Sequence, residues 1–441
     1  MFDMTDPKKI FSLEGKVLKL DTAEDIEPYL KELRSMPDVE EVRFQGNTLG
    51  IGACEALAKE LETKKGLKIA NLADIFTGRL LTEIPPALTA LLNSLLTLPN
   101  LHTVDLSDNA FGLNTQAPLI SFLSAHTPLR HLILNNNGLG PKAGALIGEA
   151  LHALATKKTE LSTAATPPPP LETIVCGRNR LENGSMASWA RACAALAPGL
   201  TELRLAQNGI RQEGMRTLLR DGLAPAATAL KVLDVQDNTF TATAARALAD
   251  AVPRWRALKE LGVGDCLLSA RGGVMLGDAL AEGQNEMLEV LRLQYNDIDA
   301  KGVRKIAEAK SWGKVPKLRR VELNGNKFSE EDEAVDMLRE GLREIREKHG
   351  PPMEEGEHED WGIDELDELE SEEEEEEEEE EIEEEEEREE EEEEKKEQKE
   401  EVEEKAKGEV RAAQQAEAEN VPQEKDKKVD ELADMLGKTG L

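Results

Sequence analysis

The sequence predicts an α/β fold of the repeat kind, a curved solenoid of about eleven strand–helix units followed by an acidic tail. Three observations predict it. A nine-residue string, LxxLxLxxN, returns at nearly constant spacing; an apolar helical pattern fills the intervals; and the excess negative charge is confined to one C-terminal stretch.

The clear copies are LHTVDLSDN (101–109), LRHLILNNN (129–137), LETIVCGRN (171–179), LTELRLAQN (200–208), LKVLDVQDN (230–238), LKELGVGDC (258–266), LEVLRLQYN (288–296) and LRRVELNGN (318–326). Weaker ones precede them: GKVLKLDTA (15–23), VEEVRFQGN (39–47) and LKIANLADI (67–75). From Val104 onward the second apolar positions recur every 28 to 30 residues, apart from one interval of 42 that contains TPPPP (166–170). That interval reads as a repeat lengthened by a surface loop. Within each copy LxxLxL alternates side chains as a strand does, and the asparagine serves backbone groups where the chain turns away. A helix follows, as in GPKAGALIGEALHALAT (140–156), where Ala143, Ile147, Leu151 and Leu154 recur at helical spacing. One such unit cannot bury its own apolar face, so each is stabilised by stacking on its neighbours. A period near 29 leaves room for a full helix. The expected fold over residues 1–348 is therefore a leucine-rich repeat horseshoe of the ribonuclease-inhibitor kind, with parallel strands inside and helices outside.

The formal net charge is -36. Residues 354–407 hold 36 acidic and 6 basic side chains, which leaves the remaining chain close to balance. Residues 349–424 form an acidic low-complexity tail, and the run at 371–401 is expected to be disordered, since it repels itself and has almost nothing to bury. Residues 425–441 regain an amphipathic pattern through Val429, Leu432, Met435 and Leu436, and read either as a short recognition helix or as a frayed terminus.

Several function classes fall away. No apolar run approaches the roughly 18–20 residues of a membrane helix, and MFDMTDPKK lacks a signal-peptide core. A cytosolic or nucleocytoplasmic monomer is expected, with neither membrane nor nucleic acid as partner. Cys54, Cys176, Cys193 and Cys266 show no CxxC spacing and read as small buried hydrophobes rather than disulfide or metal ligands. There is no GxxxxGK[ST] phosphate cradle, GxSxG turn or HExxH. The chemistry is expected to be done on another protein.

The candidate site follows from LNNNG at 134–138. Asn137 takes the ladder place shared by Asn47, Asn109, Asn179, Asn208, Asn238, Asn296 and Asn326, and is structural. The residue before the ladder place is Gly46, Asp74, Asp108, Asn136, Arg178, Gln207, Asp237, Asp265, Tyr295 and Gly325 in successive repeats. Stacking aligns these along one rim, where the scaffold is expected to make no demand on residue type. They read either as a solvated edge or as a protein-binding stripe. In LKIANLADIFTGRL (67–80) Ile75 replaces the ladder asparagine, and the irregular loop suggests that Arg79 points outward.

The strings ADIFTGRLLTEIPPAL (73–88), LNNNGLGPKAG (134–144), CGRNRLENGSM (176–186), QNGIRQEG (207–214), LDVQDNTFT (233–241), DCLLSARG (265–272), LRLQYNDI (291–298) and ELNGNKFSEED (322–332), followed by an acidic tail, go beyond the repeat consensus. From about residue 40 to 348 the chain resembles the GTPase-activating proteins of Ran, the fungal form in particular. The resemblance implies a protein that is not itself the hydrolase but stimulates Ran, supporting nucleocytoplasmic transport. It implies that no arginine finger is used: Ran's own glutamine and switch II are held in place, so that catalysis is by positioning. Asn136 corresponds to the family's supporting asparagine and Arg79 to its activity-critical arginine, which either bonds Ran or braces Asn136 and the rim acids. Asp74, Asp108, Asp237 and Asp265 would meet basic residues on Ran, with Arg178 a further contact, while Asn135 has no assigned role. No cofactor is implied, because GTP and Mg belong to the partner. A Ran-binding protein is a further implied partner, and the implied location is the cytoplasm, the nuclear envelope or both by shuttling; the tail, from its charge, reads either as a contact for basic transport factors or histones or as a solubilising segment. The rival readings are a non-catalytic scaffold with an acidic tail, similar to a histone chaperone, and a ribonuclease-inhibitor-like blocker, which the scarcity of cysteine disfavours.

Overall fold

The structure, a computed structural model, describes residues 5–113, 115–224, 228–350 and 360–369. The acidic run at 371–401 and the segment 425–441 lie outside them. Among the described residues a parallel sheet of twelve strands runs in chain order. Its members are β1 (Ile10–Ser12), β3 (Glu41–Arg43), β5 (Ile69–Asn71), β6 (Thr103–Asp105), β7 (His131–Ile133), β8 (Thr173–Val175), β9 (Glu202–Arg204), β10 (Val232–Asp234), β11 (Glu260–Gly262), β12 (Val290–Arg292), β13 (Arg320–Glu322) and β14 (Gly362–Ile363). Two short strands, β2 (Lys19–Leu20) and β4 (Thr48–Leu49), pair separately near the start.

Register follows the leucine pattern. Val104 lies beside Leu132, Leu132 beside Ile174, and Ile174 beside Leu203, so the second apolar place of each unit forms one buried column. Between strands run helices such as Gly140–Glu160 and Glu182–Leu196, which pack on each other. Ala143, Ile147, Leu151 and Leu154 are all buried in the first of these. The four cysteines are buried and unpaired, and burial pushes each thiol up to about 12.

Two placements differ from the sequence reading. The first repeat is not GKVLKLDTA (15–23), because its strand is β1, where Phe11 and Leu13 take the inward places. Phe11 packs on Phe44 with centroids 5.7 Å apart, whereas Val17 is 83% exposed. The count of eleven units, β1 to β13 without the β2–β4 pair, is unchanged. The second difference concerns the tail. Residues 360–369 are folded onto the last repeat: β14 pairs with β13, and Ile363, Leu366 and Leu369 pack on the core. At internal joints the leucine N–H finds a carbonyl of the next strand, as Leu293 does on Glu322 at 2.8 Å. Leu323 and Asn324 have no next repeat, and their N–H groups donate to the Asp364 carboxylate at 2.6 and 3.0 Å. The folded unit thus extends past 348, because an open sheet edge with unpaired N–H groups is unfavourable.

The asparagine ladder is unbroken from Asn109 to Asn238, between the repeats where Ile75 and Cys266 take its place. Asn137 Nδ2 donates to Leu106 O and Leu134 O at 3.0 and 3.1 Å, and Asn137 Oδ1 accepts the Asn109 N–H at 3.0 Å. The Asn137 N–H in turn donates to Asn179 Oδ1. Asn137→Ala leaves these buried groups unsatisfied and is expected to cost about 2–4 kcal/mol of stability by chemical denaturation. At Cys266 the thiol donates to Gly264 O at 3.3 Å, one of the carbonyl places an asparagine would serve.

His126 carries a second stability prediction. Its ring stacks on Phe122 at 4.9 Å, Nε2 donates to Leu101 O at 2.7 Å, and Nδ1 is buried without a partner. Burial lowers its pKa to about 4. Between an unfolded value near 6.5 and that value, only the unfolded chain takes up the proton, so stability falls as pH falls through this window. The expected contribution is on the order of 3 kcal/mol, and His126→Gln flattens the pH dependence of the denaturation midpoint by that amount.

Candidate functional site

The rim stripe is a backbone feature before it is a chemical one. All ten of its residues, from Gly46 to Gly325, have positive φ, between 45° at Asp74 and 73° at Gly46. Contrary to the sequence reading, the scaffold does constrain residue type here: glycine, asparagine and aspartate tolerate this left-handed conformation best. Much of the stripe's Asp and Asn content follows from that. Arg178, Gln207 and Tyr295 do not fit the preference, and each is exposed. Gln207 and Tyr295 carry this signal in the sequence but were not among the predicted contacts.

The three asparagines of 135–137 have three separate roles. Asn137 is fully buried in the ladder. Asn135 Oδ1 accepts the N–H of Gly177 at 2.7 Å, so it brackets the backbone of the next repeat. Gly177 suits that approach, since a Cβ there would lie 3.0 Å from Ala206 O. Asn136 is exposed, with φ 52°, and its Nδ2 donates to Asp108 Oδ1 at 2.9 Å. The structure therefore brings two predicted site residues together.

Arg79 lies elsewhere on the same strand-exit edge. Its loop follows β5 and that of Asn136 follows β7, a separation of two strands or about 10 Å. It does not point outward as the sequence suggested. Only 7% of its side chain is exposed. Nε donates to Thr48 Oγ1 at 2.8 Å, one terminal nitrogen to Thr48 O at 2.8 Å, and the other to Asp21 Oδ1 at 2.5 Å. The guanidinium holds the Asp21 carboxyl below its ordinary value. Its fork thus ties the β2–β4 pair to the third repeat's loop. The cause is the irregular turn: Phe76 packs on Phe111, Arg79 N bonds Phe76 O at 3.0 Å, and the chain is turned back toward β4. Leu80 and Leu81, just beyond, are 67% and 60% exposed. Asp21 and Thr48 were invisible as site residues, lying 58 and 31 positions away in sequence.

The remaining predicted contacts lie farther along the rim. Asp237 and Asp265 are exposed neighbours; partial desolvation and the Asp265 carboxyl raise the Asp237 pKa, while Arg178 opposes the rise. Both aspartates, with Gln207, Arg180, Arg211 and Leu267, line an open concavity of about 1030 Å³. Asp74 is half-buried and accepts the Thr77 hydroxyl, so it closes its own loop. Among the described residues no group of three or more His, Cys, Asp or Glu is placed to hold a metal ion.

Comparison with known proteins agrees with this architecture. A family model described as "Leucine Rich repeat" matches residues 284–307. The pig ribonuclease inhibitor is 25% identical over 310 residues, covering 60% of this chain and 61% of that protein. Ran GTPase-activating protein of Drosophila melanogaster is 33% identical over 326 residues, 73% of this chain and 52% of its own length. Ran GTPase-activating protein 1 of Saccharomyces cerevisiae is 41% identical over 339 residues, 76% of this chain and 82% of the yeast protein. At that identity over most of both chains, the chain belongs to the family of Ran GTPase-activating proteins.

Proposed function

We propose that this chain stimulates GTP hydrolysis by Ran in its GTP form, by ordering Ran's own glutamine and switch II rather than by inserting an arginine. The observation that carries the reading is the contrast between two polar side chains on one edge. Asn136 is exposed and already oriented by Asp108. The Arg79 guanidinium is buried and engaged by Thr48 and Asp21, so its removal to a partner's phosphate would break an established network. A neutral amide both donates and accepts, and so can order a glutamine without adding charge. GTP and Mg are supplied by the partner. Asp237 and Asp265 face solvent farther along the same rim and favour a basic patch on Ran, assisting encounter. Action as a monomer on the cytoplasmic side, with a Ran-binding protein as companion, belongs to the same reading.

The test is GTP hydrolysis with purified Ran against a panel of other small GTPases, at catalytic amounts of this chain. Strong acceleration confined to Ran is expected; equal action on all, or none on Ran, rejects the reading. A truncation after Glu373 keeps the folded unit with β14, whereas one at 354 removes that strand. Hydrolysis is expected to persist in the former, and any histone or basic transport-factor binding by the tail to be lost.

A further inference from the structure

Asp108 and Asn136 hold the same place in consecutive repeats, with φ of 59° and 52°. Each is anchored by its own N–H, Asp108 to Asn135 O and Asn136 to Gly177 O, both at 2.9 Å. Their side chains therefore leave the rim side by side. An ionised carboxylate only accepts, so the 2.9 Å contact to Asp108 Oδ1 must be made by the amide nitrogen of Asn136. That settles which way round the carboxamide sits. Its nitrogen faces Asp108, and among the described residues nothing occupies Oδ1.

Resting on the functional reading above, we propose that Asp108 is a positioning residue for stimulated hydrolysis: it holds the Asn136 carboxamide in one orientation, with Oδ1 presented to an N–H donor of the partner. The donor that fits is the NH2 of a carboxamide side chain. A glutamine held through its NH2 keeps its own carbonyl oxygen free to accept a proton from the attacking water. The opposite orientation of Asn136 would compete for that same oxygen. Asp108 thus acts on the bound complex and not on the encounter, which separates it from the acidic residues farther along the rim.

Single-turnover hydrolysis by Ran, over a range of concentrations of this chain, tests the proposal. Asp108→Ala is expected to lower the saturating rate constant roughly 5- to 20-fold, the range of one solvent-facing charge-assisted hydrogen bond. The concentration for half-saturation should stay within about two-fold, and the loss should not vary between low and high salt. Asp108→Asn, which can still accept from Asn136 but can also donate, should fall between parent and Asp108→Ala. In an Asn136→Ala background Asp108→Ala should add nothing. Both side chains are exposed, and a melting temperature within a few degrees of the parent, the allowance for alanine at a positive φ, serves as the folding control. A salt-dependent rise in half-saturation with the rate constant intact would overturn the proposal, as would a full multiplicative loss in the Asn136→Ala background. If Asn136→Ala is itself silent, the functional reading falls and takes this proposal with it; an active Asn136 with a silent Asp108 removes the proposal alone.

Discussion

Arg79→Ala is expected to reduce Ran-stimulated hydrolysis by at least about 100-fold, or roughly 2.7 kcal/mol of transition-state stabilisation. The loss arises through structure. The side chain bridges Thr48 and Asp21 to the loop that follows β5, and alanine leaves the Thr48 carbonyl without its charged donor. The chain from 76 to 83 then loses its anchor, and the rim beside Asp74 loses its shape. A fall in stability of about 1–3 kcal/mol should accompany the loss of activation. Arg79→Lys keeps the charge but not the planar fork, so it should remain strongly impaired. Asp21→Ala separates bracing from direct contact with Ran. A brace predicts partial loss of activation in that variant, because the fork loses one of its partners. A contacting arginine freed from Asp21 would instead be undiminished or improved, and that result would reject the bracing role.

Asn136→Ala is expected to slow hydrolysis by roughly 10- to 100-fold, about 1.4–2.7 kcal/mol, while the thermal midpoint stays within a few degrees of the parent. The basis is the exposure of Asn136 beside the buried Asn137. Removing the outer amide costs the fold an exposed contact to Asp108 and a residue suited to positive φ, a small loss beside that of Asn137→Ala, which opens the ladder. Adjacent residues of one type should therefore give opposite phenotypes, one kinetic and one thermodynamic. Single-turnover rates set beside denaturation curves of both variants check this; a destabilised Asn136→Ala with parental kinetics would reverse the assignment.

Much of this was readable before folding. The leucine spacing specified the parallel strands, their register and the helices, because each repeat can bury its apolar face only against a copy of itself. The same spacing aligned Asp108, Asn136 and Arg178 on one rim. The first strand is not legible in this way because Val17 and Leu18 imitate the pattern that Phe11 and Leu13 fulfil, and an incomplete terminal repeat has one neighbour to arbitrate between them. The β14 strand was hidden inside an acidic stretch, where Ile363, Leu366 and Leu369 are outnumbered by carboxylates.

What the linear chain specified, then, was the periodic part: local strings repeated until stacking became their only way to exclude water. What awaited the folded molecule was every contact between distant positions. Asn135 became a bracket for Gly177, Asp108 became the partner that orients Asn136, and Arg79 turned inward onto Asp21 and Thr48. The physical reason is that a repeat pattern encodes which face is apolar, while the partner of a polar side chain depends on which backbone and carboxylate groups arrive within about 3 Å of it. That is set by the curvature and turns of neighbouring units.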